Sequence, residues 1–208
     1  MRDHGSAVRA DWFTELVTQN DNDPVAFPTA AAWHAWLAEH HASAGGAWLK
    51  IAKRGAPEGT LSYAEALDEA LCFGWIDAQT QGLDDGFWLK RFTRRKPNSR
   101  WSKINTQKAE ALIAAGRMQP AGLAEVEAAK ADGRWASAYA GPRSITVPDD
   151  LAAALAENAA AADFFATLNS LNRYSILYRI STVKRPETRA RKIAQYVQML
   201  AEHETLHP

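Results

Sequence analysis

A single cysteine, Cys72, stands in 208 residues. It has no partner for an internal disulfide, which excludes a disulfide-stapled secreted scaffold and fits a reducing compartment. Net charge is missing too: 24 Lys+Arg balance 24 Asp+Glu, which argues against a protein that grips nucleic acid or membrane with its whole surface. No apolar run reaches the roughly 18 residues that a membrane-spanning helix needs. The longest, Leu151 to Ala162, is mostly alanine and is broken by Glu157 and Asn158. The N-terminal stretch passes from Arg2, Asp3, His4 and Gly5 to Asp21, Asn22, Asp23 and Pro24 with no apolar region of the signal-peptide kind, so a cytoplasmic location and no membrane insertion are expected.

Chemical signatures are equally sparse. No Gly-rich phosphate loop and no Gly-x-Ser-x-Gly elbow occurs. His40 and His41 are adjacent and point to different sides of a helix, and His34 and His40 miss the i, i+4 face, so no metal site and no cofactor are expected. His203 and His207 have the right spacing but lie close to the end of the chain.

What is present is a packed globular composition: 47% hydrophobic residues and eight tryptophans. Residues 1–24 are expected to form a flexible extension, in which Trp12, Phe13, Leu16 and Val17 could make a short amphipathic turn. Thr29 can cap a helix carrying Trp33, Trp36, Leu37 and His40 on one face. Ala47-Trp48-Leu49-Lys50-Ile51-Ala52 reads as a strand. Ser62 and Glu65 have capping-box spacing ahead of a helix that Gly74 stops. Trp75–Gln79 and Phe87–Thr93 read as two strands of a hairpin around Gly82 and Asp84-Asp85-Gly86. Helices come next, one from about Ile104 to Gly116 and one from Pro120 to Gly133. Gly141–Val147 looks like a linker, with Pro148 at the first position of a helix behind it. Further helices carry Phe164, Phe165 and Leu168; then Tyr174, Leu177 and Tyr178; and then Ile193, Tyr196, Val197 and Leu200. The expected fold class is α+β: a small three-stranded antiparallel sheet with covering helices, then an all-helical C-terminal module. The expected organisation is an α+β domain at 25–140, a linker at 141–147 and a helical domain at 148–208.

The neutral total conceals segregation. Eight basic residues and no acidic one lie between Lys90 and Lys108, and six basic residues face Glu187 alone between Arg179 and Lys192, together 14 of the 24 Lys+Arg. Such clustering points to a local anion site. Arg91 to Asn105 interleaves cations, hydroxyls, amides and aromatics where a strand ends and a helix begins. Guanidinium forks bind carboxylate or phosphate, indoles hold planar or apolar groups, and a helix N-terminus adds N–H donors. The alternative is a solvated charged turn paired with acids elsewhere in the chain.

Several stretches resemble the YdeI/OmpD-associated, or bacteriocin-protection, family. They are Leu71-Cys72-Phe73-Gly74-Trp75-Ile76-Asp77, Arg91-Phe92-Thr93, Ser99-Arg100-Trp101-Ser102-Lys103-Ile104-Asn105, Gly116-Arg117-Met118, and the run from Lys184 to Ile193. The resemblance covers about residues 25–203. It departs at Ala78, where the family usually has glycine, and at Arg94, where it usually has proline. It implies a link to antimicrobial-peptide tolerance and to an outer-membrane porin, and it brings no catalytic chemistry to carry over.

Asp77 could pair with Arg91 or Arg95 across the hairpin, or act as a base if burial raised its pKa. Cys72 lies at a helix C-terminus between apolar residues, which favours a structural thiol over a nucleophile. Trp33, Trp36 and Trp48 read as core; Trp75, Trp88 and Trp101 border the basic segment and are the better platform candidates. The leading expectation is a non-catalytic binding protein whose Trp-lined cleft takes a small anionic or peptide ligand. Trp75, Asp77, Arg91, Thr93, Arg95, Trp101, Lys103 and Asn105 would line that cleft. Two alternatives stay open: a module contacting RNA through both basic segments, and an enzyme using Asp77 as general base with Arg91 or Arg95 stabilising negative charge.

Overall fold

The computed structural model describes residues 23–56 and 59–208. The expected extension and its Trp12–Val17 turn lie almost wholly outside the described residues. The described fold is α+β, with a three-stranded antiparallel sheet and eight helices. It divides into two compact units. The first takes the chain up to Ser99 and returns for Lys108–Ala131; the second takes Arg100–Gln107 and Asp132–Pro208.

The first unit opens with α1 (Ala30–His40), capped as its sequence requires: the Thr29 hydroxyl accepts from Ala32 N–H at 3.2 Å. Strand β1 (Ala47–Ala52) is next, then α2 (Tyr63–Cys72), whose Ser62–Glu65 capping box is complete. Gly74 ends that helix with φ of +73°, a left-handed turn that favours glycine. The hairpin of β2 (Trp75–Gly82) and β3 (Phe87–Arg94) completes the sheet in the order β1-β3-β2. Both strands run longer than the expected Trp75–Gln79 and Phe87–Thr93. The pairing of β2 with β3 slips between Asp77 and Thr80, a bulge that shifts the outer half of β2.

One sheet face is covered by the two helices, so strand alternation sends alternate residues into one core. Trp33 is fully buried, 5.9 Å from the Phe92 ring and 6.3 Å from Trp75, and its indole N–H donates to the Ala66 carbonyl. Phe27, Leu37, Leu49 and Leu71 complete this apolar centre. Helix α4 (Pro120–Ala131) belongs to the same unit. It approaches α2 through Gly122, where an added Cβ would overlap the Cys72 carbonyl. Helix α3 (Lys103–Ala114) contributes its first turn to the second unit and the rest to the first.

In the second unit, α5 (Asp149–Ala156), α6 (Ala159–Thr167), α7 (Ser170–Ser181) and α8 (Pro186–Ala201) enclose a core of Leu151, Leu155, Phe165, Ile176, Leu177, Ile180, Ile193, Tyr196 and Leu200. Asn158 and Asn169 cap α6 and α7 with their side-chain carbonyls. Pro148 sits one residue earlier than expected, as the N-cap of α5. Ile145 and Val147, from the Gly141–Val147 stretch, pack against this helical core. No helix among the described residues is long and apolar enough to cross a membrane.

Candidate functional site

Alternation along β3 sorts the basic segment. Lys90 and Phe92 share the helix-covered face, and Arg91 and Thr93 point the other way. Asp77 lies opposite Phe92 in the β2–β3 register, so it faces the helices. Its Oδ2 accepts from Lys90 Nζ at 2.8 Å and from the Tyr63 hydroxyl at 2.9 Å. Lys90 also donates to Thr80 Oγ1 at 3.1 Å and lies over the Tyr63 ring. The expected pairing of Asp77 with Arg91 or Arg95 is therefore replaced by one with Lys90, because only even-numbered β3 residues share Asp77's face.

At the end of β3, Arg91, Thr93, Arg94, Arg95 and Lys96 line one cleft of about 620 Å³ together with Gln79, Ala78, Gly45 and Pro97. Among the described residues four cations and no carboxylate border it. Gly46 makes the tight approach of β1 to this cleft possible. An added Cβ there would stand 3.1 Å from Arg91 Nε, the Phe92 carbonyl and Thr93 Cγ2. Arg91 Nε is buried with no hydrogen-bond acceptor among the described residues, and its guanidinium lies 5.9 Å from the Trp48 ring centre. Arg94 donates to the Ala42 carbonyl at 3.0 Å, while Arg95 is buried and anchored by its backbone N–H to Gly74. The same two arginines border a smaller cavity of about 350 Å³ with His41, Gly74 and Glu125.

Of the eight residues singled out in the sequence, Arg91, Thr93 and Arg95 come together in this cleft. Asp77 lies on the opposite face of the sheet. Trp75 is fully buried, edge-on to Trp33 and Trp36, with its indole N–H donating to the His41 carbonyl; it is core and is not on the lining of this cleft. Trp101, Lys103 and Asn105 belong to the second unit. There Trp101 is buried against Trp135 at 4.8 Å, Lys103 is exposed with its backbone N–H donating to Tyr139, and Asn105 receives a cap from Ser102. Trp101 is therefore a packing residue. The basic run contained two further lining residues, Arg94 and Lys96, whose signal was their place beside Thr93 at the strand end.

Two other clusters are structural. Glu69 is buried, with His34 Nδ1 at 2.7 Å and Arg117 Nη2 at 2.5 Å, so its charge is matched. Burial, reinforced by the Glu69 carboxylate, pushes the Cys72 thiol up to about 11, which keeps it protonated and unreactive at neutral pH. Among the described residues no group of three His, Cys, Asp or Glu is placed to hold a metal ion.

Residues 144–203 match the model of a family described as Bacteriocin-protection, YdeI or OmpD-Associated. Residues 25–125 match that of a domain of unknown function, DUF8412. Neither a curated protein nor a solved structure matches the chain.

Proposed function

With residues 144–203 matching the bacteriocin-protection, YdeI or OmpD-associated family, we propose that this chain is a cytoplasmic, non-catalytic binding protein whose first unit captures a small anionic ligand. The supporting observation is the 620 Å³ cleft bordered by Arg91, Arg94, Arg95 and Lys96 with no carboxylate among the described residues of its lining. Like charges gathered on one lining repel one another, and an anion relieves that repulsion as it binds. Arginine forks suit the planar oxygens of carboxylates and the tetrahedral oxygens of phosphates. Thr93 and Gln79 add neutral hydrogen-bonding groups at the rim. A bacteriocin-protection role, as the family description words it, would result from ligand capture.

The test is isothermal titration of the full chain with inorganic phosphate and with citrate, repeated on Arg91→Gln/Lys96→Gln. Binding by the parent chain and at least a roughly tenfold loss in the variant, with unchanged circular dichroism, is the expected outcome. No heat with either anion, or equal affinity in the two proteins, would overturn it.

A further inference from the structure

The second unit carries a groove between α5 and α8 of about 750 Å³. It belongs to a different unit from the cationic cleft and shares no lining residue with it.

Helix α8 presents two apolar stripes. One, with Ile193, Tyr196 and Leu200, is buried in the core. The second, with Ala190, Ala194, Val197 and Ala201, has the spacing i, i+4, i+7, i+11 and lines the groove, facing Ala154 of α5. Ala190 and Ala194 are exposed there. A helix that is apolar beyond its core stripe has surface left to cover, and small residues let another backbone come close.

Charge selects what covers it. Among the described residues the one cation on the lining is Arg189, and it is already engaged. Its Nε and Nη2 form a two-pronged pair with Asp150 at 2.5 and 2.9 Å, and its Nη1 donates to the Ile180 carbonyl at 2.7 Å. Asp150 is neutralised in the same pair. What remains is negative: Glu157 and Glu202 are both exposed on the lining, and they are the C-caps of α5 and α8. Each helix end adds a partial negative charge of about half a unit to its carboxylate. The basic residues of α8 that make its sequence look cationic, Arg191 and Lys192, are not on this lining.

We propose that this groove docks a basic amphipathic helix of another polypeptide. Its apolar stripe lies over Ala194 and Val197, and its Lys or Arg residues meet Glu157 and Glu202. The length fits, since the 16 residues of α8 offer a track of roughly 24 Å, enough for about four turns of a partner helix.

The experiment uses the full chain and two fluorescein-labelled peptides of about 14 residues, one an amphipathic Leu/Ala/Lys helix and the other the same sequence with Glu for Lys. Fluorescence anisotropy should show the Lys peptide binding and the Glu peptide at least about tenfold weaker. Glu157→Gln/Glu202→Gln should weaken the Lys peptide by about tenfold. Ala194→Arg, at an exposed position that leaves the core intact, should abolish binding. Equal binding of both peptides, or Lys-peptide binding that survives Ala194→Arg in a folded protein, overturns the proposal. So does a dimer seen by light scattering in the parent chain and lost in Ala194→Arg, because the groove would then hold a second copy.

Discussion

Asp77 Oδ2 lies 2.8 Å from Lys90 Nζ, across the hairpin and under the helices, with the Tyr63 hydroxyl as its other donor. The lysine side chain is only 10% exposed and the aspartate 22%. Neither charge can be stranded cheaply. Asp77→Ala leaves a nearly buried ammonium without its counter-charge and should cost about 3 kcal/mol, the low end for breaking a buried pair. Asp77→Leu combined with Lys90→Met removes both charges together and should recover most of that loss. Chemical denaturation of the parent, the single and the double variant measures both. A single variant as stable as the parent would show that water, and not Asp77, carries the Lys90 charge.

Gly122 is a close-approach position with no left-handed backbone to explain it. It is buried in α4, and a Cβ there would overlap the Cys72 carbonyl and press on the Met118 sulfur. The sulfur can move; the carbonyl is fixed by its own bond from Gln119 N–H. Gly122→Ala therefore loses more to overpacking than it gains in helix propensity, with a net cost of roughly 1–3 kcal/mol. Thermal unfolding reads this directly, and a raised Tm would contradict it.

Cys72 should be silent toward thiol reagents in the folded protein and reactive once denatured. Its thiol rises from an ordinary 9.0 to about 11 through burial first and the Glu69 carboxylate second. The folded state thus favours the protonated form. Stability from this group is fully present below about pH 9 and is lost as pH rises through about 11. Ellman's reagent at pH 8, with and without denaturant, tests the first statement. For the second, the fall in Tm between pH 9 and 11 should be shallower in Cys72→Ala than in the parent.

Local rules carry far along this chain and stop where distant segments meet. Strand β1 occupies the six residues its composition indicates, and Thr29, Ser62 and Glu65 form the caps their spacing implies, because each depends on neighbours within four residues. The partner of Asp77 is of another kind. It depends on the β2–β3 register and on a bulge between Asp77 and Thr80, and no residue type announces either. Trp75 and Trp101 looked like ligand platforms because they border the basic segment. Large indoles are also what a small core needs, and the ring packing of Trp75 on Trp33 and of Trp101 on Trp135 comes from residues 42 and 34 positions away. Arg91, Thr93 and Arg95 were legible as a group because they cluster in one basic stretch where a strand ends.

Gly46 links sheet packing to the cleft. It has no left-handed φ, so alanine is conformationally acceptable there and should gain a little from a stiffer unfolded chain. Space is the obstacle: an added Cβ stands 3.1 Å from Arg91 Nε, Thr93 Cγ2 and the Phe92 carbonyl. The carbonyl belongs to the central strand, paired on both sides, and cannot retreat without bending the sheet. The two side chains can, and both line the cationic cleft. Gly46→Ala should therefore lower stability only modestly, by about 1 kcal/mol, while it displaces the Arg91 guanidinium and weakens phosphate binding several-fold. Gly82→Ala is the control, since its Cβ would meet nothing within 4 Å, and it should leave affinity unchanged. If Gly46→Ala binds phosphate as tightly as the parent does, Arg91 is not a ligand-holding side chain of this cleft.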